Sequence, residues 1–427
     1  MNKNLFECLD NQKIDSDSDL MEVLEKTNKC FFITGKAGTG KSTLLRDFVR
    51  KTKKKVVVLS PTGISALIVK GQTIHSFFKF PPKLIDSRNI KTVDNPIYKK
   101  IDTIIIDEVS MVRADLMDGI DMFMRRNGRS KTKPFGGVQM IMFGDLYQLS
   151  PIVERGNDSL SYKYDSPYFF SAKVFEKIDL NIAELDTVYR QKDKDFIKIL
   201  DNVRLGKELD STIEILNSRV SFQEFNEDFI TLTSTNKSAR EVNLKELNKI
   251  PEKEKMYKAV VEGNINNSSL SEEILLKKNA KVILLRNDPY GQFVNGSIGT
   301  IHELEDNLIT VKLNTGFFVG VERTNWDNIK YDYNEKSDKI VSEVVGRIKQ
   351  FPIKLAWAIT IHKSQGQTFD KVFIDLSSGA FAHGQTYVAL SRCKTLDGIV
   401  LKKGLRKQDI IVDEQVKQFF SQKRLNE

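Results

Sequence analysis

Gly35-Lys36-Ala37-Gly38-Thr39-Gly40-Lys41-Ser42 follows the apolar run Cys30 to Thr34 and precedes a segment, Ser42 to Arg50, with the pattern of a helix. A strand, a glycine-rich turn ending in Lys-Ser and a helix together form a P-loop. Glycines let successive backbone N–H groups turn inward around phosphates, the lysine reaches the β and γ groups, and the serine hydroxyl is a ligand for Mg²⁺. A plain glycine-rich turn would lack these flanks.

Further apolar runs rich in branched residues occur at Val56 to Ser60, Thr103 to Ile106 and Val138 to Phe143, separated by helical or loop-like segments. Such runs are buried parallel strands, so the first 180 residues predict a doubly wound α/β sheet. Ligands in these sheets sit beyond the carboxyl ends of the strands. Each run ends in a motif: Pro61-Thr62-Gly63 after the second, Asp107-Glu108 after the third and Gly144-Asp145-Leu146-Tyr147-Gln148 after the fourth. Asp107 supplies a carboxylate for Mg²⁺ and Glu108 one that polarises an attacking water. Away from a P-loop the same acidic pair would be a helix cap or solvated surface.

Downstream the pattern is mixed from Glu184 to Asn248, and the polar stretch Gly263 to Ser271 predicts a loop. Residues 280–350 alternate short apolar runs with turn signals such as Asn295-Gly296 and Asn314-Thr315-Gly316, the spacing of a small antiparallel barrel. The α/β character returns at Leu355 to Ile361, Val372 to Leu376 and Gly398 to Leu401. The expected organisation is a first lobe over 1–183, a second over 184–279 and 351–427, and an inserted β module over 280–350.

Composition narrows the class. With 427 residues, 40% of them hydrophobic and 29% charged, the chain is a globular protein of more than one domain. The net charge of +9 favours a polyanionic partner, although evenly spread lysines give the same total. The run Lys51 to Lys55, with Thr52 inside it, is a solvated helix end and loop. Cys8, Cys30 and Cys393 lack metal-ligand spacing and are odd in number, which argues against a disulfide scaffold or zinc site. Without an apolar leader or a run of roughly 18 apolar residues, the expectation is a cytoplasmic protein with no membrane association.

Other P-loop classes fail on particular residues. Asn236-Lys237 is followed by Ser238 and Ala239, so the carboxylate that reads guanine is missing, and no Leu-Ser-Gly-Gly-Gln segment is present. A motor ATPase remains. The chain resembles superfamily 1 helicases, specifically the petite-integration-frequency family of the 5′ to 3′ branch. The carriers are Gly35 to Ser42, Ser60 to Gly63, Thr73 to Phe78, Ile106 to Met111, Phe143 to Leu149, Val188-Tyr189-Arg190-Gln191, Thr360 to Gly366 and Ala389-Leu390-Ser391-Arg392. Tyr168-Phe169-Phe170-Ser171 with Phe175 is similar to the stretch that separates this family from its neighbours; on composition alone these aromatics would be ordinary core.

The resemblance implies two RecA-like lobes with parallel sheets and a small inserted SH3-like barrel, ATP and Mg²⁺ as cofactors, and single-stranded, forked or structured DNA as partner. It implies catalytic roles for Lys41, Glu108, Gln148, Arg190 and Arg392, with Gln148 sensing the γ-phosphate and the two arginines entering from the second lobe. Nucleotide contacts fall on Gly35, Ala37, Gly38, Thr39, Gly40, Lys41, Ser42, Thr43 and Gly366, and the metal on Ser42 and Asp107. DNA contacts fall on Pro61, Thr62, Gly63, His75, Ser76, Phe77, Thr360, His362 and Lys363. Phe77 suits base stacking or the core equally well. Unwinding of duplex, G-quadruplex or RNA–DNA hybrid, with roles in repair and recombination, is the activity implied.

There are departures. Ser150 precedes Pro151 where the family usually has two prolines, and Gln12 is the one nearby candidate for the adenine-reading glutamine. The long N-terminal extensions of larger members are not seen, which suggests a bare motor core and a bacterial or phage-like source; a monomer in solution is the expectation. Two readings compete: a helicase of the RecD or Dda type, against which the aromatic stretch argues, and a DNA-stimulated P-loop ATPase acting as a switch without unwinding. A nuclease or recombinase subunit would need a second carboxylate cluster, which the sequence lacks.

Overall fold

The computed structural model describes residues 17–86, 90–152, 162–221, 229–263, 272–377 and 379–425. Its first sheet has six parallel strands in the order Gln72–Thr73, Val56–Ser60, Thr103–Ile106, Gln139–Phe143, Cys30–Gly35 and Leu180–Leu185. The continuous apolar runs become the four central strands because both faces are covered. One face packs Phe32, Leu59, Ile104, Ile106 and Met140 against the helix Ala114–Asn127, and the other packs Phe31, Ile33, Ile105 and Ile141 against Leu44, Leu45 and Phe48 of the helix Lys41–Lys51. The last strand pairs along its whole length with Cys30–Gly35, up to Leu185 opposite Gly35, so this sheet extends past residue 183.

A second parallel sheet has the order Ala358–Thr360, Ile230–Thr233, Val372–Asp375 and Ile399–Leu401. Its core takes in Phe196, Ile199, Leu200 and Val203 from the helix Lys194–Leu205 and Tyr387 to Leu390 from the helix Gln385–Ser391. Between the two chain segments that build this sheet lies an antiparallel sheet, ordered Phe318–Glu322, Leu308–Leu313, Ile298–Leu304, Lys281–Leu284 and Ile353–Leu355. The β-rich region is wider than the expected 280–350. It begins at Lys255–Lys258, paired with Glu273–Leu276; apart from Gly263, which ends the strand Val260–Gly263, the polar stretch expected to be a loop lies outside the described residues.

Two features return the chain to the first lobe. The hairpin Thr324–Asn334 with Lys339–Gln350 reaches back so that the Tyr331 hydroxyl accepts from Val58 N–H at 3.2 Å and Lys55 pairs with Asp338 at 2.7 Å. The C-terminal helix Glu414–Leu425 stacks Phe419 on Phe170 at 4.3 Å and Phe420 on Tyr147 at 5.5 Å, while Tyr168 donates to Asp413 at 3.1 Å. The aromatic stretch is thus both core and the seat of this helix. Cys30 and Cys393 are buried free thiols, and Cys8 and Gln12 lie outside the described residues. Among the described residues no helix is long and apolar enough to cross a membrane.

Candidate active site

The P-loop opens directly from the strand Cys30–Gly35. Gly38 and Gly40 both have φ of +84°, a conformation nearly closed to other residues, and a Cβ on Gly38 would lie 2.5 Å from Cβ of Arg190. The close approach is fastened by the Tyr189 N–H donating to Gly38 O at 2.9 Å. Lys41 Nζ donates to the carbonyls of Gly35 at 2.6 Å and Lys36 at 2.9 Å. Burial pulls the Lys41 ammonium down to about 8, against Asp145 and Glu108, which favour its charged form. Ser42 and Thr43 are exposed at the start of the helix Lys41–Lys51.

Asp107 and Glu108 follow the strand Thr103–Ile106. Burial, and then the charge of Glu108, push the Asp107 carboxyl up to about 7, opposed by the Glu108 N–H at 3.0 Å and by Lys41. Glu108 sits at φ +51° and is also raised, by burial first, with Lys41, Arg392 and Arg190 acting the other way. A buried carboxylate this poorly compensated, with the P-loop Lys41 among its charge neighbours, fits a divalent cation, so Ser42 and Asp107 suit the Mg²⁺ role. Among the described residues no cluster of three or more His, Cys, Asp or Glu could hold a metal elsewhere.

The opposite wall comes from the second lobe. Arg190 donates to Ser391 O at 3.1 Å, and Gln191 Nε2 donates to the carbonyls of Ser391 at 3.2 Å and Cys393 at 2.9 Å. These contacts join the two segments that carry the arginines. Arg392 is 1% exposed and held by Val388 O at 2.9 Å and Ser391 Oγ at 2.9 Å. Burial, and then Arg190, lower its guanidinium to about 9, with Tyr387, Glu108 and Asp145 opposing. Two arginines crowded without a bonded carboxylate form a site prepared for anionic oxygens. Gly366, at φ +77°, has open space around its Cα.

Sequence reasoning missed several contacts across this cleft. The Tyr387 hydroxyl accepts from the Ala37 N–H at 2.9 Å, Lys36 pairs with Asp201 at 2.5 Å, and His383 Nε2 lies 2.7 Å from Leu146 O. Arg204 Nη2 reaches Asp145 Oδ1 at 3.0 Å. Their partners are distant in sequence, so no motif announces them.

The candidate DNA residues form a separate group on each lobe. Thr62 caps the helix Gly63–Ile68 by accepting from Ser65 N–H, and Thr73 caps Ile74–Phe78 by accepting from Ser76 N–H, both at 3.3 Å. Pro61 and Gly63 flank Thr62, half-buried; Ser76 is exposed and its hydroxyl accepts from Gln72 at 2.8 Å. His75 is half-buried, and burial first and then Arg113 lower its imidazole pKa.

For Phe77 the sequence leaves base stacking and core open. At 5% exposure its ring packs edge-on against Phe78 at 4.9 Å and Tyr98 at 5.5 Å, so it is core and offers no face to a base. On the second lobe Thr360 is buried and accepts from Lys363 N–H at 3.3 Å, His362 is lowered by burial, and Lys363 is exposed. Lys354, which sequence patterning did not select, is lowered to about 8 by burial and by the like charge of Lys363.

Comparison with known proteins agrees with this geometry. Residues 8–214 match the model of the PIF1-like helicase, and 355–400 that of the UvrD-like helicase C-terminal domain. The ATP-dependent DNA helicase Pif1 of Bdellovibrio bacteriovorus is 30% identical over 93% of this chain and 90% of its own. Bacteroides Pif1 in complex with ADP-AlF4 superposes with a TM-score of 0.88 at 34% identity, covering 97% of each chain. The same Bacteroides protein bound to ssDNA gives 0.69 at 35% identity, covering 96% of each chain. With the P-loop, the carboxylate pair and the two arginines gathered in one cleft, the chain belongs to the PIF1-like helicase family.

Proposed function

We propose that the chain is an ATP-dependent DNA helicase that moves 5′ to 3′ on single-stranded DNA, and that closure of its two lobes on ATP drives each step. The observation that carries this reading is the cleft itself. Phosphate-binding groups follow the strands of one sheet, while Arg392 ends the helix Gln385–Ser391 packed with the other and Arg190 is bonded to Ser391 O, so hydrolysis needs both lobes together.

The P-loop N–H groups and Lys41 hold the phosphates, and a divalent cation on Ser42 and Asp107 supplies positive charge against their oxygens. Glu108, raised by burial, is suited to take a proton from the attacking water, and Gln148 orients that water. Arg190 and Arg392 neutralise charge on the transferring phosphoryl group. Opening and closing then moves the group around Thr62, His75 and Ser76 relative to that around Thr360, His362 and Lys363, whose hydroxyls, ring nitrogens and ammonium suit phosphate contacts. We place the chain in the cytoplasm as a monomer, with forked or structured DNA as its substrate.

The test is ATP hydrolysis with and without single-stranded DNA, beside strand separation on forks bearing only a 5′ or only a 3′ tail. Stimulation with opening of the 5′-tailed fork alone is the expected result. Stimulation without unwinding would instead mark a DNA-dependent switch.

A further inference from the structure

Arg204 ends the helix Lys194–Leu205 of the second lobe and is 4% exposed, yet it points into the first lobe. Its guanidinium bonds Asp145, whose side chain is fully buried, and lies 4.4 Å from the ring centroid of Tyr147. Glu184 stands farther off, at 4.0 Å. Asp145 uses its other oxygen to accept from the Gln148 amide, and it is also a charge neighbour of Lys41. One carboxylate therefore links a second-lobe cation to the glutamine and the lysine that face the phosphates.

Burial alone would push the Asp145 carboxyl up; Arg204 first, then Lys41, more than offset this and hold it below its usual range. If the lobes part, Arg204 withdraws with its helix and Asp145 loses its bonded cation. An uncompensated buried carboxylate is unfavourable, so it would turn toward other partners and release the fixed orientation of Gln148. In the closed cleft Arg204 satisfies Asp145 and the Gln148 amide is held in place.

We infer that Arg204 is a positioning residue through which lobe closure sets Gln148, with Asp145 as the intermediary. The inference rests on the two-lobe closure proposed above. It differs from the roles of Arg190 and Arg392, since Arg204 acts through a side chain of the first lobe.

The experiment uses the full chain with Arg204→Gln and Arg204→Lys, each also combined with Gln148→Ala, and measures kcat and KM for ATP with saturating single-stranded DNA. Arg204→Gln is expected to lower kcat about 10- to 100-fold with KM within about threefold, and Arg204→Lys to recover part of that loss. In the Gln148→Ala background neither substitution is expected to slow hydrolysis further, because the residue acted upon is gone. Unchanged kcat in the single variants, or losses that multiply with that of Gln148→Ala, would overturn the inference. Melting temperatures report folding; if Arg204→Gln does not fold, the lysine variant carries the same cycle and the same two overturning results. Arg392→Ala run alongside separates the failures: if it is slow while both Arg204 variants are normal, closure stands and this inference falls, and if it too is normal, closure itself falls.

Discussion

The nucleotide cleft and the candidate DNA surface are built on opposite plans. In the cleft, polar and charged groups are tied to partners on the other lobe, as in the buried pair Arg204 with Asp145, Tyr387 with Ala37 and the half-buried pair Lys36 with Asp201. On the DNA side, Thr62, Thr73 and Thr360 bond to backbone within their own turns, and Lys354 and Lys363 crowd each other. A site that must sense lobe closure has to span the gap, whereas each half of a moving track has to be rigid within its own lobe. The same division predicts how substitutions separate: cleft residues should fail in turnover, and track residues in affinity or folding.

The largest effects sharpen the cleft side of this comparison. Lys41→Ala is expected to reduce hydrolysis about 10³-fold or more while leaving single-strand binding largely intact, since the lysine faces Gly35 and Lys36 rather than the track. Normal turnover would remove the P-loop from catalysis. Arg392→Ala should bind nucleotide yet hydrolyse it about 10³-fold more slowly, checked by single-turnover kinetics beside equilibrium nucleotide binding. An unchanged rate would take this arginine out of the cleft.

Phe77 tests the other side. Truncating a buried aromatic to alanine costs about 3–5 kcal/mol, so Phe77→Ala should lower the melting temperature markedly, with single-strand affinity altered no more than the loss of fold requires. Had the ring stacked on a base, the loss would appear in binding, at about 1–3 kcal/mol, with stability nearly unchanged. Calorimetry and a fluorescence binding titration on the same preparation distinguish the two. A smaller effect is expected at Lys354. At neutral pH it is largely charged despite its lowered pKa, and Lys354→Ala should weaken DNA binding uniformly and reduce the log–log salt slope by about 0.7. A slope equal to that of the unaltered protein would place Lys354 off the track.

What the sequence made legible follows from locality. The P-loop, Asp107-Glu108 and Gly144 to Gln148 each lie within a few residues of a strand end, and the sheet brings strand ends together, so residue type and spacing sufficed. The Ala37 to Tyr387 hydrogen bond joins residues 350 positions apart, and the Asp145 to Arg204 bond spans 59, distances at which no periodicity carries information. Phe77 was ambiguous because a short aromatic pair beside a histidine reads alike as core or as platform; the neighbouring Tyr98 and Tyr331, supplied by distant segments, decide it. The strand Leu180–Leu185 was hidden for the opposite reason: it lies at the sheet edge, only partly buried, and lacks the continuous apolar run of the central strands.

The smallest effect is expected at His383, which ties Leu146 to Asp413. Its Nδ1 accepts from the Asp413 N–H at 2.8 Å, so the proton of the neutral ring lies on Nε2 and is donated to Leu146 O at 2.7 Å. Protonating Nδ1 would set two N–H groups against each other. Burial lowers the imidazole pKa, and the Leu146 carbonyl, Asp413 and Asp145 only partly offset it. Because the folded value lies below the unfolded one, the unfolded chain binds the extra proton first. The stability contributed by the neutral ring is therefore complete above the unfolded pKa of about 6.5 and is lost as pH falls below it toward the folded value. Replacing the ring by Gln removes the titration, so the melting temperature of His383→Gln should fall less between pH 7 and pH 5 than that of the unaltered chain, by about 1–2 °C. Parallel melting curves for the two proteins would show that His383 does not titrate differently on folding. A difference confined to that window would make the joint between Leu146 and Asp413 a contact whose strength follows pH, while the Arg204–Asp145 pair beside it, charged throughout the range, does not.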